Sequence, residues 1–571
     1  MNVHQEVIRK NAADIIVYIV LGLLLSFFTN FGAGYYEKIV DSFAESKIDL
    51  NIIAVYSLIL VMNCILGYIE QVPEQRIFHN VYYDYKLKAL EKMSFISYEA
   101  YKEIGTGSLI QRIENGAEAG KKILCEFYLC IIRELLPSIV FSVYFIWTID
   151  KRITYVILAS YAVVFFVTNY LIKTLYKIKE KILVNEEKVN YFLVRGLMEM
   201  VIFRLYDYFI NEKKKANSAK KEIVRCKVKM TMIHEAFFTI FAFLVVLIKI
   251  GLLLYGWLSR NISIGSIVAL LALIDNAYTP IAIFNVLFVE YKLDKVSFER
   301  YQSFLSQKND KRLIKGQWIQ SIDFPIRLNS LEVSYEKRKV LRNVNLVIHK
   351  GEKIALVGES GAGKSTVIKI LAGLLECGDH MVCFEKRQLN DMNLNSYFPH
   401  ISYVPQDTAI FDGSVRENIL FDADNENMLK SIKEKFALSS LFSQLEKGEN
   451  TILGEKGIRL SGGEKQKIAL ARLWARDTEL ILLDEATSAM DNITEEQVIK
   501  TILESFPGKT IISVMHRLNR IMEFDRIIVF QNGEVVGDGC FQDLMRENAY
   551  FRRLYMSRSH RQESSVQSLK I

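Results

Sequence analysis

Ile354-Ala-Leu-Val-Gly-Glu-Ser-Gly-Ala-Gly-Lys-Ser-Thr366 decides how the second half of this chain folds. Its first four residues are apolar and predict a buried strand, Ile354–Val357. A glycine-rich turn, Gly358–Thr366, follows, and a helix-forming run continues over Val367–Leu374. Strand, glycine turn and helix in that order let backbone N–H groups converge on a phosphate at a helix N-terminus. A glycine turn with no ligand is the competing explanation, and it does not account for that context.

Beyond this segment, short β-type runs at Ile401–Val404, Ile481–Leu483, Thr510–Val514 and Arg526–Phe530 alternate with helical stretches. Such alternation predicts a parallel sheet covered by helices, and the glycine loop Gly358–Thr366 makes the expectation an α/β P-loop NTPase domain. Lys364 would reach the β- and γ-phosphates of a nucleotide, and Ser365 would ligate Mg²⁺. Ile481-Leu-Leu-Asp-Glu485 reads as a buried strand ending in two carboxylates. There Asp484 suits the Mg²⁺ shell, and Glu485 is placed to polarise an attacking water. Leu460-Ser-Gly-Gly-Glu464 opens a further predicted helix, Lys465–Ala475. It offers two glycines and a hydroxyl at a positive helix end, a second phosphate-type cradle. From these residues alone an ordinary capped start, Ser461 with Glu464 three residues on, reads equally well.

Together these segments resemble the ATP-binding cassette (ABC) family. Leu460–Glu464 looks like the family's signature sequence, Gln406 in Val-Pro-Gln-Asp like its Q-loop, and Asp491 in Ser-Ala-Met-Asp like its D-loop. His516 in Met-His-Arg-Leu is similar to the switch histidine, Tyr335 to the adenine-stacking aromatic, and Gly454-Glu-Lys-Gly457 to the cross-talk segment of exporters. The resemblance implies ATP and Mg²⁺ as ligands. It places Gly358, Glu359, Ser360, Gly361, Ala362, Gly363, Lys364, Ser365 and Thr366 around the phosphates, and Ser365, Gln406 and Asp484 on the metal. Glu485, His516 and Gln406 would serve hydrolysis. Ser461, Gly462, Gly463 and Asp491 would meet nucleotide across a head-to-tail dimer of two such chains, identical or not. Departures are few: Glu464 stands where the family more often has Gln, Lys465 and Lys467 where Arg is commoner, and Met490 where Leu is commoner. The segment Cys377–Ser396 is somewhat compressed.

The first half is of another kind. With 571 residues the chain is too long for one core, and 50% of it is hydrophobic against 24% charged. A membrane-spanning helix takes about 20 apolar residues. Six stretches come near that length, at approximately 14–36, 52–69, 127–148, 153–175, 233–258 and 264–290, with Arg133 and Glu134 obscuring the third. Lysines and arginines crowd the long segments 71–125 and 173–232 and are sparse in the loops between the other spans, which predicts cytoplasmic extensions and cytoplasmic termini. The apolar run after Ala13 has no small-residue cleavage site and reads as a span, not a removed leader. Seven cysteines with no CxxC pair argue against a disulfide framework or a structural zinc site. A net charge of +7 is small for this length and excludes nothing beyond a strongly basic partner surface; no nucleic-acid role is indicated.

The expected organisation is an all-α six-helix transmembrane domain of ABC exporter type at 1–305, a linker at 306–328, the nucleotide-binding domain at 329–556 and a disordered tail at 557–571. Gly105–Arg112 and Met198–Glu212 resemble the family's two coupling segments. The implied protein is half of a dimeric, ATP-driven pump in a cell membrane, exporting a drug, lipid or peptide. Import of a metal chelate and a merely anchored regulatory ATPase are the alternatives. Asp275, near the middle of the sixth span, is either a substrate contact or a polar packing residue.

Overall fold

The structure is a computed structural model that describes residues 3–46, 49–104, 106–259, 262–335, 338–421, 426–435, 442–454, 457–458, 460–518 and 520–557. It divides into two compact units, one of Met1–Ser94 with Ile104–Gln307, the other of Phe95–Glu103 with Lys308–Ile571.

The first unit is helical. Among the described residues, five helices are long and apolar enough to cross a membrane: Ala12–Ala44, Leu50–Phe95, Leu109–Ile149, Phe209–Leu258 and Ile264–Leu305. The fourth expected span lies in the helix Lys151–Met198, where the side chains of 161–176 fall outside the described residues. Arg133 is accommodated in the third helix by a partner and a notch. Its Nε and Nη2 each donate to a Glu70 carboxylate oxygen at 2.5 Å, and Glu70 is buried. A Cβ on Gly22 would sit 2.1 Å from the Arg133 Cγ, so only glycine leaves room for the arginine stem. The same region winds as π-helix over Lys122–Leu129 and Ile131–Leu135. Asp275 pairs with Lys249 of the preceding helix at 2.6 Å, so the carboxylate at that depth is neutralised within the chain.

The second unit carries two sheets. Strands β1 (Ile326–Tyr335), β2 (Arg338–Ile348), β4 (Val382–Phe384) and β5 (Arg387–Gln388) form an antiparallel sheet in the order β2-β1-β4-β5. The larger sheet runs β10-β9-β3-β8-β7-β6, from β3 (Lys353–Gly358), β6 (Ile401–Val404), β7 (Leu480–Asp484), β8 (Thr510–Val514), β9 (Arg526–Gln531) and β10 (Glu534–Gly539). All its pairings are parallel except that of edge strand β10. β7 and β8 are buried at every residue, which is why they read as unbroken apolar runs. Alternate residues feed two cores. Ala355, Val357, Ile481 and Leu483 join one, while Ile354, Leu356, Leu480 and Leu482 join the other.

Phe95–Glu103 belongs with this unit although Phe95 ends a helix of the first. Ile96 bridges Asn309, Ser97 N–H donates to Lys308 O at 3.0 Å, and Asp310 N–H donates to Phe95 O at 2.9 Å. Tyr98 packs on the core that holds the phosphate-loop helix. The coupling segment expected at Gly105–Arg112 thus begins two residues after the stretch packed here ends. Gly105 is outside the described residues, and Thr106–Lys121 is a helix whose residues join the first unit.

Candidate functional site

The C-terminal ends of β3, β6, β7 and β8 come out on one edge of the larger sheet, the place where open α/β sheets collect ligands. The glycine loop leaves β3 there and enters a helix at Lys364–Leu371. Two of its glycines are required by space as well as by φ. Gly358 has φ 151° and a Cβ on it would lie 2.3 Å from Phe530 O; Gly363 has φ 102° and its Cβ would meet Leu341 Cδ2 at 2.5 Å. Lys364 is buried, and its Nζ donates to the carbonyls of Gly358 at 3.1 Å and Glu359 at 2.7 Å. The ammonium therefore lies inside the loop that its own backbone builds. Gly361, with φ +81°, has open space where a Cβ would be.

Ser365 opens the helix with its hydroxyl donating to Asp484 Oδ1 at 2.6 Å. Asp484 ends β7 almost fully buried, and that burial pushes its carboxyl above the usual range, against the pull of Ser365 and two lysines. A hydroxyl and a carboxylate at this spacing are hard oxygen donors of the type Mg²⁺ takes.

Glu485 is the hub. It follows Asp484 with φ +53°, a left-handed conformation that a glutamate holds only under constraint. Gln406 Nε2 donates to its Oε2 at 2.7 Å, and His516 Nε2 lies 2.7 Å from its Oε1. Residues 79 and 31 positions away in sequence thus meet on one carboxylate, brought together by β6 and β8 flanking β7.

Ser461, Gly462 and Gly463 are elsewhere. The helix they start, Gly462–Ala471, begins three residues before the expected Lys465 and packs into the core on the opposite face of the sheet from Lys364–Leu371. Ser461 is engaged in a capping box, its amide and hydroxyl each 2.7 Å from Glu464 Oε2. Asp491 caps the helix Asn492–Ser505 by accepting from Thr494 N–H at 2.9 Å, which holds its carboxyl below the usual range. Tyr335 ends β1. Its side chain, Glu455-Lys456 of the segment 454–457, and the tail 558–571 lie outside the described residues.

No motif had singled out Gln466, Glu495 or Arg517. Gln466 Oε1 accepts from Ala489 N–H at 2.9 Å, and Arg517 Nη1 donates to Met490 O at 2.9 Å and Glu495 Oε2 at 2.6 Å. The one signal in the sequence is adjacency, since Arg517 follows His516 and Glu495 stands four residues after Asp491.

Comparison with known proteins matches residues 15–278 to the model of the ABC transporter transmembrane region and residues 341–488 to that of the ABC transporter. An iron-sulfur clusters transporter ATM1 of Candida glabrata mitochondria is 29% identical over 63% of this chain and 52% of its own length. This chain thus spans about half the length of the first curated relatives it matches. An ATP-dependent lipid A-core flippase of Alcanivorax borkumensis is 24% identical over 92% of this chain and 90% of its own. A bacterial Atm1-family ABC exporter solved with ATP bound superposes with a TM-score of 0.83, covering 96% of this chain and 99% of that one at 20% identity, a likeness of fold.

Proposed function

The chain belongs to the ABC transporter family, with its transmembrane region and its cassette fused, and from that premise we propose that it hydrolyses ATP to export a hydrophobic or amphipathic compound as half of a dimer. The observation that carries the dimer is that the helix after the glycine loop and the helix after the signature segment pack into different cores, on opposite faces of one six-stranded sheet. In this reading the loop and the lid of one chain do not close on the same nucleotide, and Ser461–Gly463 comes from a second chain. Each copy holds a full set of candidate catalytic groups, which favours two identical chains. A further support is the apolar face on the second cytoplasmic extension, where Leu197 and Tyr206 are 76% and 79% exposed and ask for a covering partner.

In the proposed reaction the loop amides and Lys364 bind the β- and γ-phosphates, and Tyr335 stacks on adenine. Ser365, Asp484 and Gln406 would hold Mg²⁺, which when bound neutralises charge on the phosphates. Glu485 accepts a hydrogen bond from the attacking water and aims it in line, while Gln406 and His516 fix the carboxylate. Both termini and the cassette face the cytoplasm of a cell membrane in this reading. What is carried in this reading is a hydrophobic or amphipathic compound: a drug, lipid or peptide.

Purified protein in lipid nanodiscs tests this directly. ATPase activity should fall at least about 100-fold in Glu485→Gln while ATP binding persists. Inverted membrane vesicles should accumulate an amphipathic probe with ATP. Activity surviving Glu485→Gln would overturn the role of Glu485, a wild type without ATPase activity would overturn hydrolysis, and accumulation only by intact cells would overturn export.

A further inference from the structure

Beyond the residues that resemblance implicates, we propose that Glu495 is a positioning residue for hydrolysis, holding Glu485 and His516 together through Thr487 and Arg517. This rests on the hydrolytic reading above. The β7–β8 ladder stops at the pair Asp484–Val514, so Glu485 and His516 lie just past the last residues the sheet fixes. Their 2.7 Å contact therefore depends on what holds the two departing loops.

Glu495 is what the loops share. Its side chain is 9% exposed, and each carboxylate oxygen has its own donor. Oε1 accepts from the Thr487 hydroxyl at 2.8 Å, two residues beyond Glu485; Oε2 accepts from Arg517 Nη1 at 2.6 Å, one residue beyond His516. Arg517 Nη1 also reaches Met490 O, which closes the bridge back onto the Glu485 loop. The same loop is folded by Ser488 N–H on Glu485 O at 3.1 Å and Met490 N–H on Thr487 O at 3.0 Å. A left-handed glutamate is strained and persists only where its surroundings over-determine it. The buried carboxylate of Glu495 supplies that determination from the first turn of the Asn492–Ser505 helix. Gln466 extends the bridge to the signature helix through Ala489 N–H.

Steady-state ATPase measured in nanodiscs separates positioning from general stability. Glu495→Ala is expected to lower kcat about 10- to 100-fold, with KM for ATP within about twofold, because a displacement near 1 Å is costly only in the transition state. Arg517→Ala should behave alike. Glu495→Gln keeps an acceptor for Thr487 and should retain intermediate activity. Added to His516→Ala, Glu495→Ala should cost less than about twofold more, since both act on one contact. Wild-type kcat in all three single variants would overturn the role, as would a parallel loss of ATP affinity or a full multiplicative loss on His516→Ala. Where Glu495→Ala fails to fold, Glu495→Gln and Arg517→Ala decide. If the wild type shows no Glu485-dependent ATPase, the hydrolytic premise falls first; an active wild type with indifferent variants removes only the role of Glu495.

Discussion

Glu464 accepts from both the amide and the hydroxyl of Ser461 at 2.7 Å, so the hydroxyl proposed to face a partner's γ-phosphate is already bonded to a carboxylate. Closure on ATP would have to redirect that hydroxyl and bring phosphate toward the negative charge. At a few ångströms in an exposed, high-dielectric setting the repulsion is of order 1 kcal/mol, enough for a few-fold effect and no more. Glu464→Gln should therefore lower KM for ATP about two- to fivefold with little change in kcat, and the gap should narrow at high salt. An unchanged KM would mean that the carboxylate turns away before closure. At this scale the sequence was informative about identity and silent about partners. Asp484, Glu485, Gln406 and His516 stood out as motif residues, yet nothing in their spacing said that Gln406 and His516 share the Glu485 carboxylate. Glu495 was invisible because it belongs to no motif, only to a contact.

Pro280 sits inside the helix Ile264–Leu305 and has no N–H for the carbonyl of Asn276. Ser138, from the third helix, donates its hydroxyl to that carbonyl at 2.9 Å. Asn276 is also tied through its side chain to Asn30 of the first helix, at 3.3 Å. The polar groups that interrupt the apolar runs thus settle the backbone group that the proline leaves over. Ser138→Ala should lower thermal stability by about 0.5–1.5 kcal/mol, and much less in a Pro280→Ala background where the helix can bond its own carbonyl. Equal losses in both backgrounds would show that Ser138 acts elsewhere. The parallel strands were readable because burial on both faces leaves them uniformly apolar. The antiparallel sheet β2-β1-β4-β5 was not, since β4 and β5, only three and two residues long, are too short to carry a pattern. The helix starts at Lys364 and Gly462 came three residues earlier than expected, as glycines and lysines hide a helical turn that a loop needs for its amides.

For the whole molecule, the decisive feature is the division of the cassette into two cores by one sheet. If loop and lid come from different copies, Lys364→Ala and Ser461→Arg chains should each be inactive alone. Mixed before assembly, about half of the chains fall in dimers with one intact composite site, so that roughly a quarter of wild-type turnover should return. A mixture as inactive as its parents would show that a site is built within one chain, or that one intact site does not suffice. The family and the succession of membrane helices and cassette were legible along the chain, because apolar run length, charge asymmetry and glycine spacing are local properties. Only the tertiary structure decided which side chains meet: that Glu485 is gripped from β6 and β8, that Arg133 is matched by Glu70 and Asp275 by Lys249, and that Phe95–Glu103 joins the second unit. Those pairings depend on strand order and helix packing, which bring together residues whose separation along the chain carries no record of their contact. The glycine loop could be read from nine residues; its place on the sheet, and the face its helix packs against, could not.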